Sequence, residues 1–272
     1  MVSAGVYHTC ALTTNGTVRC WGGRNQGGVQ AAVPPRLGRA LSVSAGFRHS
    51  CALLADSTPV CWGADDFGQS RIPPSTGPVL SVAAGVAQTC VITLAGAAAV
   101  CWGRLVHSDP ALIWSGPVPA GLGPVLHVGS PQGQYACALA KAGNGTVRCW
   151  GYARAFPGLD GLAGVRAVSL GQAHACALKA AGGLTCGGYN VDGATKPVAA
   201  PPGLELPGAV LAVSAGSMHT CAIVPKRECP GGRRRSAAPV APRRFCLLGW
   251  DDAERTVANM RSFATCALAA LC

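Results

Sequence analysis

The sequence predicts an all-β repeat fold, a propeller or a solenoid. Three observations carry that expectation. The stretch Val2-Ser3-Ala4-Gly5-Val6-Tyr7-His8-Thr9-Cys10-Ala11-Leu12 recurs along the chain, and its leading cysteines stand at 10, 51, 90, 137, 176, 221 and 266, a spacing of 39 to 47 residues. A period in that range belongs to architectures whose single units cannot bury a hydrophobic face alone. A second stretch, C-W-G, follows the first within 10 to 12 residues in four of the repeats. No long segment shows helical periodicity.

The repeats follow in order. The second reads VSAGFRHSCAL at 43–53 and the third VAAGVAQTCVI at 82–92. Looser copies end at Cys137-Ala138-Leu139 and Cys176-Ala177-Leu178, VSAGSMHTCAI occupies 213–223, and a degraded seventh ends at Cys266-Ala267-Leu268. The second stretch is Cys20-Trp21-Gly22, Cys61-Trp62-Gly63, Cys101-Trp102-Gly103 and Cys149-Trp150-Gly151, then Cys186-Gly187-Gly188. In repeat six it is Cys246-Leu247-Leu248-Gly249-Trp250, delayed by an insertion. Each unit therefore reads as two β-prone runs joined by a turn, a hairpin. Polar turns and proline pairs, Pro34-Pro35, Pro73-Pro74 and Pro201-Pro202, follow and stop the strand before the next unit. A short helical turn is expected over 251–260.

The first hairpin fixes a register. Thr14-Asn15-Gly16 makes a three-residue loop with Gly16 in the left-handed position. Cys10 then opposes Cys20, and Leu12 opposes Val18 on the same face. A two-residue loop would shift the pairing by one and separate the cysteines. In repeat four Cys137 opposes Cys149, and Leu139 opposes Val147. Opposed positions lie close enough for a disulfide. The candidate pairs are Cys10/Cys20, Cys51/Cys61, Cys90/Cys101, Cys137/Cys149 and Cys176/Cys186, with Cys221/Cys246 across the insertion. Cys229, Cys266 and Cys272 are left over, and 15 cysteines is an odd number. The repeated spacing favours disulfides over small buried thiols in a reducing compartment, and both readings remain open. Zinc is disfavoured, because the chain holds no C-x-x-C.

The chain of 272 residues is 49% hydrophobic, enough for a sizeable core, and the unbroken repeat argues for a single domain over 1–272. The repeats start near 2, 43, 82, 128, 168, 213 and 257. No secretory signal precedes the first repeat, and the chain opens within it, as a fragment would. No run reaches the ~18 apolar residues of a membrane span. The net charge is +11, and the insertion over 225–244 holds seven basic residues (Lys226, Arg227, Arg233, Arg234, Arg235, Arg243 and Arg244) against Glu228. Six of the eleven net charges thus sit there, and the body is only mildly basic. No aromatic residue interleaves with this cluster, so nucleic-acid stacking is not indicated. The insertion is a candidate binding loop for an acidic partner or a targeting signal, against a plain solvated loop.

V-S-A-G-x-x-H-T-C-A-L, then G-T-V-R-C-W-G and N/D-x-x-G-Q, resembles the repeat of the regulator of chromosome condensation, the RCC1-type β-propeller. The paired cysteines resemble the branch that includes the crinkly-type repeats of plant receptor-kinase ectodomains. The resemblance implies a seven-bladed propeller, as a rule non-enzymatic, that binds proteins through its faces and loops. Some members act as guanine-nucleotide exchange factors on a small GTPase and bind chromatin. Others are photoreceptors, ubiquitin-ligase modules, receptor ectodomains or secreted inhibitors. This chain departs from the pattern at Gly187, which replaces a tryptophan, at the basic insertion, and after Cys266, where too little chain follows for a second strand. Six blades and a partial seventh are expected.

Four histidines, His8, His49, His174 and His219, share one repeat position, where repeats three and four carry Gln88 and Tyr135. A repeated hydrogen bond within or between blades explains them better than a metal ring. Trp21, Trp62, Trp102 and Trp150 read as blade-to-blade packing, and Trp114, outside the motif, reads as packing first and is a better candidate than these for an exposed contact. Asn15-Gly16-Thr17 and Asn144-Gly145-Thr146 match the glycosylation sequon but coincide with hairpin turns. No G-x-S-x-G, H-E-x-x-H, P-loop or dinucleotide fingerprint is present. The expectation is a non-catalytic protein-binding scaffold without cofactor or small-molecule substrate. Paired cysteines favour an extracellular or secretory setting. The alternative is an intracellular exchange factor or chromatin-associated regulator with reduced cysteines.

Overall fold

The computed structural model describes residues 1–23, 27–103, 118–129, 135–151, 158–171, 174–188, 210–215, 219–225 and 245–251. Within them lie six three-stranded antiparallel sheets, each with its strands in chain order. Blade one is Val2–Ala4, His8–Leu12 and Val18–Gly22. Blade two is Ala40–Ala45, His49–Leu54 and Pro59–Gly63, and blade three Val79–Ala84, Gln88–Thr93 and Ala99–Gly103. Blade four is Val125–Val128, Tyr135–Ala140 and Thr146–Gly151, and blade five Val165–Leu170, His174–Lys179 and Leu184–Gly188. Blade six is Ala212–Ala215, His219–Pro225 and Phe245–Asp251. Repeat seven, Cys229 and residues 252–260 of the helical turn expected over 251–260 lie outside the described residues, and Asp251 itself ends a strand.

The unit is thus three strands, not the expected two. The run from Val2 to Leu12 is broken at Gly5-Val6-Tyr7, where the Gly5 amide donates to the His8 carbonyl at 2.8 Å. Gly46 and Gly85 close the same turn onto His49 and Gln88 at 2.9 Å. A strand continued through the glycine would leave the backbone of Val2–Ala4 without a paired strand. Folding back at A-G-x-x pairs Ser3 with Cys10 and Ala4 with Thr9 instead.

The second and third strands keep the register that a three-residue loop demands. Cys10 faces Cys20 and Leu12 faces Val18, with Gly16 at φ 85°. In blade four, Cys137 faces Cys149 and Leu139 faces Val147. The longer loop there is one helical turn, Ala142–Gly145, with Gly143 and Asn144 left-handed.

Successive sheets pack face on face through the six blades, the arrangement of a propeller, and each first strand touches the next blade's first strand. The core is accordingly divided. Five clusters of buried residues fill the five junctions. Cys10, Val18, Val43 and Trp62 fill the first, Leu53, Val79, Val91 and Trp102 the second, and Cys90, Ile92, Val125 and Trp150 the third. Leu139, Leu159, Val165 and Leu170 occupy the fourth, and Leu178, Leu184, Val210 and Val224 the fifth. No blade buries its own faces alone, which is why the sequence must repeat. Trp62, Trp102 and Trp150 are buried at the junctions, whereas Trp21 of blade one is 50% exposed. Trp114 lies outside the described residues.

Candidate functional site

The motif V-S-A-G-x-x-H-[S/T]-C is a set of contacts from each blade to the next. His8 Nε2 lies 2.7 Å from Ser50 Oγ, His49 Nε2 2.8 Å from Thr89 Oγ1, and His174 Nε2 2.7 Å from Thr220 Oγ1. The Ser50 hydroxyl donates to the Gln30 carbonyl at 2.8 Å, and Thr89 to that of Gln69 at 2.7 Å. A hydroxyl has one proton to give, so each must accept from its histidine. His8 and His49 therefore carry their proton on Nε2. Burial pushes both down to about 4; for His49, repulsion from His8 adds to this and Asp65 opposes it. Both imidazoles are neutral at pH 7.

The same carbonyls take the tryptophans. Trp62 donates its indole N–H to Gln30 at 3.0 Å, and Trp102 to Gln69 at 3.2 Å. In blade four Tyr135 stands at the histidine position, and its hydroxyl donates to the Gly171 carbonyl, with the His174 carbonyl 2.9 Å away. Burial raises the Tyr135 phenol, so it stays a donor. These contacts are the interblade hydrogen bond foreseen for the position. Among the described residues no three His, Cys, Asp or Glu side chains gather as a metal set.

The remaining letters of the motif act the same way. Ser3, Ser44 and Ser169 each accept the backbone N–H of Ala45, Ala84 and Ala215 in the following blade at 2.9 Å. The motif glycine gives its carbonyl to the preceding blade, Phe47 N–H to Gly85 at 2.9 Å. A Cβ on Gly46 would lie 2.3 Å from that carbonyl oxygen, and one on Gly5 2.2 Å from the Gly46 oxygen. Backbone cannot yield as a flexible side chain does. Gly46→Ala is therefore expected to lower stability by about 3 kcal/mol or more, read as a shift in denaturant midpoint.

At the opposite end, the hairpin turns of blades one, two, three and five latch onto the next blade. The carbonyls of Gly16, Ser57, Ala97 and Gly182 accept from the amides of Ala40, Val79, Val125 and Val210 at 2.8 to 2.9 Å. The accepting turns need a left-handed residue, yet Ser57 has φ 68° and Ala97 φ 51°. Removing the Cβ relieves that conformation, so Ala97→Gly should stabilise by about 0.5 kcal/mol in chemical unfolding. Asn15 is held within its turn, its Oδ1 accepting the Thr17 amide at 3.1 Å.

Five disulfides close the opposed cysteines, Cys10–Cys20, Cys51–Cys61, Cys90–Cys101, Cys137–Cys149 and Cys176–Cys186, with Cα separations of 4.0 to 4.1 Å. Blade six differs from the expectation. Its ladder sets Cys221 opposite Gly249 and Cys246 opposite Val224, so Cys221 and Cys246 are offset by three positions and are not an opposed pair. The anchor is Trp250, which faces Thr220 as Trp21 faces Thr9 and Trp62 faces Ser50. Gly249-Trp250-Asp251 is thus the equivalent of C-W-G, and the cysteine of that triplet has become glycine. The tryptophan position was the signal for this register, and Cys246 was a distraction.

The basic residues Lys226, Arg227, Arg233, Arg234, Arg235, Arg243 and Arg244 lie outside the described residues. Their flanks are described. Pro225 and Phe245 face each other, so the insertion joins the second and third strands of blade six at the hairpin-turn end. An open cleft of about 400 Å³ between blades three and four is lined by Gly96, Ala98, Val118, Pro119, Pro124 and their neighbours, with no ionisable or hydroxyl side chain. No helix among the described residues is long and apolar enough to cross a membrane.

Repeated disulfide-closed blades, joined through a histidine–hydroxyl contact, define a repeat β-propeller. Its repeats are RCC1-like. Residues 2–28 and 41–69 match the model of the regulator of chromosome condensation (RCC1) repeat. The fold is similar to the crinkly ectodomain of the Arabidopsis thaliana receptor kinase ACR4, at 21% identity, TM-score 0.64, 92% of this chain and 78% of that one. It is also similar to the entire ectodomain of the Physcomitrella patens receptor kinase CR4, at 22% identity and TM-score 0.63, where 96% of this chain spans 64% of that one. Prp20p of Saccharomyces cerevisiae aligns at 19% identity and TM-score 0.62, over 82% of this chain and 69% of that one. No curated protein matches the chain in sequence.

Proposed function

We propose that this chain is a non-catalytic protein-binding propeller of the secreted or receptor-ectodomain kind, stabilised by disulfides within its blades. The observation that carries the reading is the set of five opposed, disulfide-closed cysteine pairs at one repeat position. Disulfides at that density belong to oxidising compartments. The similarity in fold to the two plant receptor-kinase ectodomains supports the same setting. The buried polar groups described above are engaged in holding blades together, which leaves the faces and loops for partners. The basic loop Lys226, Arg227, Arg233, Arg234, Arg235, Arg243 and Arg244 is proposed as one such element.

The second reading is an intracellular exchange factor or chromatin-associated regulator. Prp20p has binding properties to Gsp1p and histones, and yeast RCC1 (Prp20) is known in complex with Kap60. The discriminating assay is nucleotide release from a Ran-like GTPase in the presence of the oxidised chain. No acceleration over the intrinsic rate is expected. Acceleration would overturn the non-catalytic reading and put the exchange factor in its place.

A further inference from the structure

One apolar feature repeats without being buried. Leu41, Leu80 and Leu126 occupy the same place at the start of the first strand in blades two, three and four, and Leu211 stands at the matching repeat position just before the first strand of blade six. They are 53%, 48%, 56% and 41% exposed. Core residues repeat because the core repeats. An exposed leucine gains nothing from repetition unless its surface is used, and several in one arc form a patch rather than scattered surface residues.

The backbone explains the exposure. Between Ala40 and Ser42 the first strand advances two residues while its partner advances one, from Leu54 to Leu53. The same step occurs at Val79/Ser81, Val125/His127 and Val165/Ala167. Leu41, Leu80, Leu126 and Arg166 are thus the extra residues of four β-bulges, a device that re-aims a side chain. The first strands of neighbouring blades touch, so the bulges form an arc about the axis at the hairpin-turn end.

Charge separates the two ends. At the other end, Arg48 pairs with Asp66 at 3.2 Å and Arg71 with Asp65 at 2.9 Å. At the leucine end stand Arg39, Lys141, Arg166 and Lys179, with Asp56 in the hairpin turn of blade two, while in blade four Asp160 is held by Arg148 at 3.6 Å. None of these four cations forms an ion pair among the described residues. Arg166 instead donates to the Leu211 carbonyl at 2.8 Å, tying its blade to the next leucine.

We propose that this leucine arc is a docking surface for an acidic protein segment carrying apolar side chains. The inference deepens the protein-binding reading and rests on it. Leucines take the apolar side chains and the four cations take the carboxylates. A lipid surface fits less well. The leucines sit on the first strands, inside the polar hairpin turns such as Thr14-Asn15-Gly16 and Asp56-Ser57, which a flat membrane would meet first.

The test uses the full oxidised chain and a fluorescent peptide of repeating Glu-Leu-Glu-Glu-Leu, with a Lys-for-Glu and a Ser-for-Leu peptide beside it. Anisotropy should show binding of the acidic leucine peptide alone, weakened by salt. The triple variant Leu41→Ser, Leu80→Ser and Leu126→Ser should bind it about tenfold or more weaker while keeping the wild-type Tm. Equal binding by wild type and variant, or no binding by wild type, overturns the proposal. So does leucine-dependent binding to phosphatidylserine vesicles without peptide binding, or leucine-dependent self-association in sedimentation. A native partner captured equally by wild type and triple variant would sink this surface and leave the protein-binding function standing.

Discussion

Reducing the five disulfides is expected to unfold the propeller. Each closes a loop of 10 to 12 residues between strands that already face each other. On the chain-entropy model a loop of that size contributes about 3 kcal/mol, so five of them rival the 5–15 kcal/mol by which domains are usually stable. The body compensates poorly, because each junction cluster is small and shared between two blades. Circular dichroism in a strong reductant should show the β signal collapsing at a temperature where the oxidised chain is intact. The double variant Cys51→Ala, Cys61→Ala should lose about 3 kcal/mol by itself. A reduced chain with an unchanged unfolding midpoint would mean that hydrophobic junctions alone hold the fold.

Acid is expected to loosen the same structure from the junctions. His8 and His49 titrate near 4 in the folded chain and near 6.5 once unfolded. Between those values the unfolded chain holds more protons, so stability falls as pH drops from about 6.5 toward 4 and levels off below. His49, with no exposed surface, carries about 3 kcal/mol of that loss. Denaturant midpoints between pH 7.5 and 4 would show the slope. His49→Gln should remove its share of the slope, and the position accepts glutamine, since Gln88 occupies it in blade three. A pH profile unchanged by His49→Gln would mean that His49 does not couple these blades to protonation.

These two effects come from letters that were easy to read and hard to interpret. The cysteine spacing and the Thr14-Asn15-Gly16 turn define the register within a blade, because a hairpin is local and its loop length determines which residues meet. Contacts between blades are not local. Nothing in H-[S/T]-C says that the histidine of one repeat reaches the hydroxyl of the next, some 40 residues on. The broken first strand was partly legible, since Gly5, Gly46 and Gly85 interrupt runs that otherwise look continuous. The bulges were not, because an exposed leucine and a buried one look alike in a run such as Val79-Leu80-Ser81-Val82. Blade six misled because Cys246 resembles the missing partner, whereas Trp250, opposite Thr220, marks the register.

The most direct test of an oxidised, ectodomain-type propeller is disulfide mapping of protein from its native source, alkylated without reduction and read peptide by peptide. Cys10 is expected linked to Cys20, Cys51 to Cys61, Cys90 to Cys101, Cys137 to Cys149 and Cys176 to Cys186. Recovery of all ten as alkylated thiols would contradict it, and the intracellular reading would take its place.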